Sequence, residues 1–130
     1  MILGELPSRN ARRYPKKTAV IFENKRYTFE ELNCRINSLA NALLDMGLSK
    51  GDRAAILLDN CHQYMEIHFG IPKAGMVEAP LNTFLTGQDL TYIINDSGAN
   101  TLILGENYTE TIKAIRPNLN TVRSFIIVGT

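Results

Sequence analysis

At 130 residues, 45% of them hydrophobic and 21% charged, the chain is large enough for one domain with a real core and has the balance of an ordinary globular protein. Fourteen basic against 13 acidic residues leave a formal charge of +1, which argues against global attraction to nucleic acid or to an anionic membrane. No run approaches the roughly 18 apolar residues of a membrane span, and the opening MILGELPSRNARR lacks the sustained apolar core of a signal peptide.

The first local feature is basic. Arg9, Arg12, Arg13, Lys16 and Lys17 cluster near the N-terminus and read as a solvated face. TAVIFENKRYTF, residues 18–29, holds two β-prone runs around Glu23-Asn24-Lys25, the pattern of a hairpin. Thr28 and Glu31 form a capping box. Leu32, Ile36, Leu39 and Leu43 then line one helical face, and Gly47 is placed as its C-terminal stop. Arg53–Asp59 contains an unbroken apolar run, the pattern of a strand covered on both faces. A second helix is expected over Asn60–Ala74, with Pro72 kinking or shortening its end. A strand over Met76–Leu81 follows, in which Glu78 marks an edge or solvent-facing position. Thr86 and Asp89 form another box, with Leu90, Ile93 and Ile94 as the buried stripe and Gly98 as the stop. Thr101–Leu104 is a strand, Tyr108–Ile115 a weaker helix ending before Pro117, and Ser124–Val128 a last strand ahead of Gly129-Thr130. The alternation gives an α/β fold, with a mostly parallel sheet flanked by helices and an N-terminal β-hairpin.

Candidate chemistry is sparse. Gly70-Ile-Pro-Lys-Ala-Gly75 has the glycine spacing of a phosphate loop but is followed by Met76-Val77 rather than Lys-Ser/Thr. It also ends a helix instead of opening one, and helix C-termini repel anions. His62 and His68, six residues apart, fall about 240° apart on a helix and cannot share a metal, so both read as structural histidines. Cys34 has no neighbouring base at helical spacing, and with Cys61 it forms neither a disulfide framework nor a zinc site, which fits a reducing, cytoplasmic setting. Asp59, at a strand end, reads as the cap of the following helix rather than as a phospho-acceptor. No catalytic, cofactor-binding or metal residue is assigned.

Four segments in order carry a resemblance. RYTFEEL (26–32), GLSKGDRAAILLDN (47–60), PKAGMVEAPLN (72–82) and LTYIINDSGANTLIL (90–104) resemble signature segments of the AMP-forming acyl-CoA synthetases, and YPKKTAVIF also fits. That adenylate-forming superfamily is shared with luciferases and peptide-synthetase adenylation domains. Pro72, Glu78 and Asp89 depart from the usual apolar, apolar and Glu residues of the pattern.

The resemblance implies a fatty-acid–CoA-ligase-like enzyme that activates a fatty or other hydrophobic carboxylic acid as an acyl-adenylate and transfers it to coenzyme A. ATP, Mg²⁺ and coenzyme A are the parent's cofactors, and none is expected on this chain. The family's phosphate-loop region and C-terminal domain have no counterpart here. Residues 1–130 are therefore expected to be an incomplete piece of a larger N-terminal domain, inactive alone and prone to self-association through exposed apolar surface. The alternatives are an adenylation domain loading a carrier protein, or a stand-alone α/β binding or signalling module.

Overall fold

The computed structural model describes residues 2–129, so Thr130 lies outside them. The chain forms two compact units: one runs up to Gly51 and includes Asn60–Met76, and the other comprises Asp52–Asp59 and the chain from Val77 onward.

The first unit opens with a short 3-10 turn, Leu3–Glu5, and helix α1 (Leu6–Arg13). The hairpin follows as β1 (Thr18–Phe22) and β2 (Lys25–Thr28), paired antiparallel across Glu23-Asn24. Helix α2 (Phe29–Asp45) starts at the expected box: Thr28 Oγ1 accepts from Glu31 N at 3.2 Å, and Glu31 Oε2 accepts from Thr28 N at 2.8 Å. Leu32, Ile36, Ala40 and Leu43 are its buried face, with Leu39 half-buried beside Gly70. At the other end Gly47 N donates to Leu44 O and Leu48 N to Leu43 O, with Gly47 at φ 85°. That pair of bonds is a Schellman stop, which requires a residue comfortable in the left-handed region.

Helix α3 (His62–Lys73) ends by the same device. Gly75 N donates to Pro72 O and Met76 N to Ile71 O, and Gly75 sits at φ 81°. Pro72 therefore does not shorten the helix. It lies in the last turn and contributes its carbonyl to the stop. Close packing explains Gly4, because a Cβ there would lie 2.6 Å from Lys73 Cα.

The second unit is a four-stranded parallel sheet of β3 (Arg53–Leu57), β4 (Val77–Pro80), β5 (Thr101–Gly105) and β6 (Ser124–Val128), in the order β4-β3-β5-β6. Helices α4 (Gly87–Ser97) and α5 (Thr109–Ile115) follow β4 and β5. Ala55 and Leu57 of β3 and Leu102 and Leu104 of β5 form one core with Leu90 and Ile94 of α4 and Ile112 and Ile115 of α5. The opposite parity, Ala54, Ile56, Thr101 and Ile103, is buried as well, which accounts for the unbroken apolar runs. Ile93 departs from its expected place in the α4 stripe and is 36% exposed. It precedes Ile94, and a step of about 100° takes it off the buried face. Glu78 lies on β4, an edge strand, and is half-buried.

Candidate functional site: the carboxyl end of the parallel sheet

Parallel sheets take ligands beyond the carboxyl ends of their strands, where the winding reverses. Here β3 leads to β4 on one side, and β4 leads back across to β5 on the other, so the reversal lies between neighbours β3 and β5. Their carboxyl ends bring together Asp59 and Asn107-Tyr108. Asn107 Nδ2 donates to Asp59 Oδ2 at 3.0 Å, and the Tyr108 hydroxyl donates to Oδ1 at 2.5 Å. Gly105 makes room for this turn, because a Cβ on it would lie 2.6 Å from Asn107 Oδ1.

The bond to Asp59 pushes the Tyr108 phenol up from its ordinary value; partial burial acts in the same direction, against bonds from Thr83 and Asn107. The bond thus favours the protonated phenol. Both Asp59 oxygens are engaged by side chains that reach back from the β5 end. Asp59 is thus a fixed acceptor that braces the mouth of the sheet, and it does not cap the next helix as expected. The N-cap of α3 is Cys61, which makes no side-chain capping bond.

In the first unit a second polar cluster joins the hairpin, α2 and α3. Glu66 Oε1 accepts from Arg35 Nε at 2.6 Å and lies 3.2 Å from His62 Nδ1. That hydrogen bond raises the Arg35 guanidinium from its ordinary value, partly offset by burial. Arg35 also stands over the Tyr27 ring at 4.9 Å, and the His62 imidazole lies 5.1 Å from the same ring. His62 is 4% exposed and its Nε2 has no hydrogen-bond partner. A proton on Nδ1 suits this arrangement, since it leaves a bare lone pair rather than an orphan N–H in the apolar surroundings. His62 is thus a buried member of this cluster.

Lys73 is committed elsewhere. Its Nζ donates to Ser8 Oγ at 2.7 Å, Ser8 donates on to Asn33 Oδ1, and burial lowers the lysine from its ordinary value. The glycine-spaced segment therefore presents a helix C-terminus and an occupied lysine, the opposite of a phosphate cradle. Cys34 is exposed and Cys61 half-buried, both as free thiols. Among the described residues no three His, Cys, Asp or Glu side chains are grouped to hold a metal.

Asn107, Tyr108, Arg35 and Glu66 were not singled out from the sequence. The His62–Glu66 spacing of four residues is a local signal that places both on one helical face. Asn107 and Tyr108 become legible only once β5 is known to neighbour β3.

The AMP-binding enzyme family matches residues 7–129. The chain is 33% identical over 113 residues to the crotonobetaine/carnitine–CoA ligase of Salmonella typhimurium, an alignment covering 83% of this chain and 22% of that protein. It superposes on Mycobacterium tuberculosis fatty acyl CoA synthetase with a TM-score of 0.93 at 30% identity, covering 98% of this chain and 26% of that one. The anthranilate CoA ligase AuaEII, solved with anthranoyl-AMP, gives a TM-score of 0.93 at 26% identity, covering 98% of this chain and 25% of that one. The chain thus spans about a quarter of the length of these relatives. With a family match along nearly its whole length and the fold shared with these ligases, the chain belongs to the AMP-binding enzyme family, among the adenylate-forming acyl-CoA ligases.

Proposed function

We propose that residues 1–130 are part of the large N-terminal domain of an ATP-dependent acid–CoA ligase whose substrate is a fatty or other hydrophobic carboxylic acid. In the reaction a carboxylate oxygen attacks the α-phosphorus of Mg-ATP and pyrophosphate leaves. The CoA sulfur then attacks the acyl carbon of the adenylate, gives up its proton, and AMP departs in place of a poor leaving oxide. Within this scheme we assign the chain a framing role. Its Asp59 and Glu66 clusters fix strand ends and helices, and no catalytic, cofactor or metal duty is assigned to its own residues.

The observation that carries the reading is the unbroken family match over residues 7–129. The relatives are named for crotonobetaine/carnitine, fatty acyl and anthranilate substrates. The test begins with the coding frame beyond the Thr130 codon. A frame that continues into a Ser/Thr-Gly-rich loop ending in Pro-Lys-Gly should encode an enzyme that releases pyrophosphate only when ATP and a carboxylic acid are both present. Thioester should then form with coenzyme A, fastest for hydrophobic acids. A frame without that loop, or an expressed product that releases no pyrophosphate with fatty, carnitine-type or aromatic acids, would overturn the proposal.

A further inference from the structure

Three neighbouring strands end in one string of hydrogen bonds. Strands β4, β3 and β5 lie side by side, and Thr83, Asp59 and Asn107-Tyr108 follow their carboxyl ends. The Tyr108 hydroxyl is the hub. It donates to Asp59 Oδ1 at 2.5 Å, and the Thr83 side chain bonds to the same hydroxyl. Asn107 Nδ2 donates to the other Asp59 oxygen at 3.0 Å. The string therefore crosses the crevice between β3 and β5, where parallel sheets take ligands, and reaches the turn beyond β4.

That turn is tight. Phe84 N donates to Asn82 Oδ1 at 2.9 Å, and Leu85 N donates to Asn82 O at 3.2 Å. A turn closed by its own bonds moves as one piece, so the Thr83–Tyr108 bond sets where residues 82–85 stand relative to the strand ends. The side chains at this end narrow what the turn can meet. Residues 58–60, 81–86 and 105–109 include no Lys, Arg or His, whereas Asp59 and Glu106 are acidic. Phosphates and carboxylates find no positive partner on these segments. Phe84, Leu85 and Tyr108 supply apolar and aromatic groups, which suit an uncharged part of a ligand.

We propose that Tyr108 is a positioning residue for the ligase reaction: through Thr83 it holds the 82–85 turn at the carboxyl end of the sheet, where the turn meets an uncharged portion of one substrate. The assignment rests on the acid–CoA ligase reading above. The uncharged portion has three sources: the hydrocarbon of the acid, the adenosine of ATP, or the uncharged part of coenzyme A. Tyr108 touches no reacting atom in this scheme. Its loss weakens the binding of one substrate and spares the chemical step.

The test uses the full-length protein that the coding frame specifies, assayed for thioester formation with acid, ATP and coenzyme A varied in turn. Tyr108→Phe and Thr83→Val each break the bond that ties the turn to the string. Each should raise KM for one and the same substrate about fivefold, the worth of one hydrogen bond, with kcat within about twofold. The substrate whose KM moves names the source. Thr83→Ser keeps a hydroxyl and should hold that KM within about twofold of wild type. A purely structural role would lower the urea midpoint of the variants and leave every KM in place. Unchanged KM values in either folded variant, KM values that rise for different substrates in the two, a fall in kcat alone, or a Thr83→Ser variant as impaired as Thr83→Val would each overturn the assignment. A full-length wild type that forms no thioester removes the ligase reading and the assignment with it, whereas an active wild type with indifferent variants overturns the assignment alone.

Discussion

The Asp59 brace makes a prediction that separates structure from chemistry. Hydrogen bonds to a charged group contribute about 1.5–3 kcal/mol, and the exposed rim of the sheet screens this toward the lower end. Tyr108→Phe removes the bond to Asp59 Oδ1 and should cost about 1 kcal/mol. Asp59→Asn weakens that bond and the one from Asn107 by removing the charge, and should cost about 1–2 kcal/mol. In urea unfolding followed by circular dichroism, with a slope of about 1–3 kcal/mol per molar, each midpoint should fall by roughly half a molar. The double variant should lose less than the sum, with a coupling of about 0.5 kcal/mol. A coupling below about 0.3 kcal/mol, where distant sites already add, would refute the brace. A second readout guards against the rival role. In the active parent ligase, Asp59→Asn should leave turnover within about tenfold, which is 1.4 kcal/mol of barrier. A larger fall in a stably folded enzyme would place Asp59 at the reacting atoms.

Other perturbations follow from the same geometry. Tyr108 is raised in the folded chain from 10.0, so its stabilising bond is fully present below that pH and is lost as pH climbs through the folded value. Melting temperatures from pH 8 upward should therefore fall more steeply in the wild type than in Tyr108→Phe. Lys73 shifts the other way: the folded chain releases its proton before the unfolded chain does at 10.5, so stability rises with pH as 10.5 is approached. Lys73→Met should abolish that rise in the same titration. Gly75→Ala forces a side chain to φ 81° and should cost about 1 kcal/mol in urea unfolding. Leu90→Ala, at a site that is 1% exposed, should cost about 2–5 kcal/mol by the same assay.

Where an element's cause is local, its place was legible in the sequence. Thr28 and Glu31 start α2 because the box satisfies end groups within four residues, and Gly47 stops it because one backbone conformation is needed there. The β3 and β5 strands announced themselves through unbroken apolar runs, since both faces are buried. Pro72 misled because a proline in the last turn removes a donor but still offers its carbonyl to the helix stop. Asp59 misled for a different reason. A carboxylate at a strand end can reach either the helix ahead or the neighbouring strand's exit, and only the strand order decides. Arg35 and Glu66 lie 31 residues apart on separate helices, so no spacing rule could join them.

The pairing of these groups bears on the framing role proposed for the chain. A side chain that takes part in catalysis must keep a donor, an acceptor or a proton available to the substrate. Both oxygens of Asp59 accept hydrogen bonds from Asn107 and Tyr108. Glu66 is shared between Arg35 and His62, and Lys73 is spent on Ser8. Among the described residues, Asp59, Tyr108, Glu66 and Lys73 are thus each bonded to another part of the chain, whereas Cys34 and Cys61 are free thiols. His62 Nε2 is buried and has no hydrogen-bond partner among the described residues. In the PKAGMVEAPLN segment the polar and turn residues are likewise engaged within the chain. Its lysine is tied to α1, its glycine closes α3, and Pro80 blunts the sheet edge.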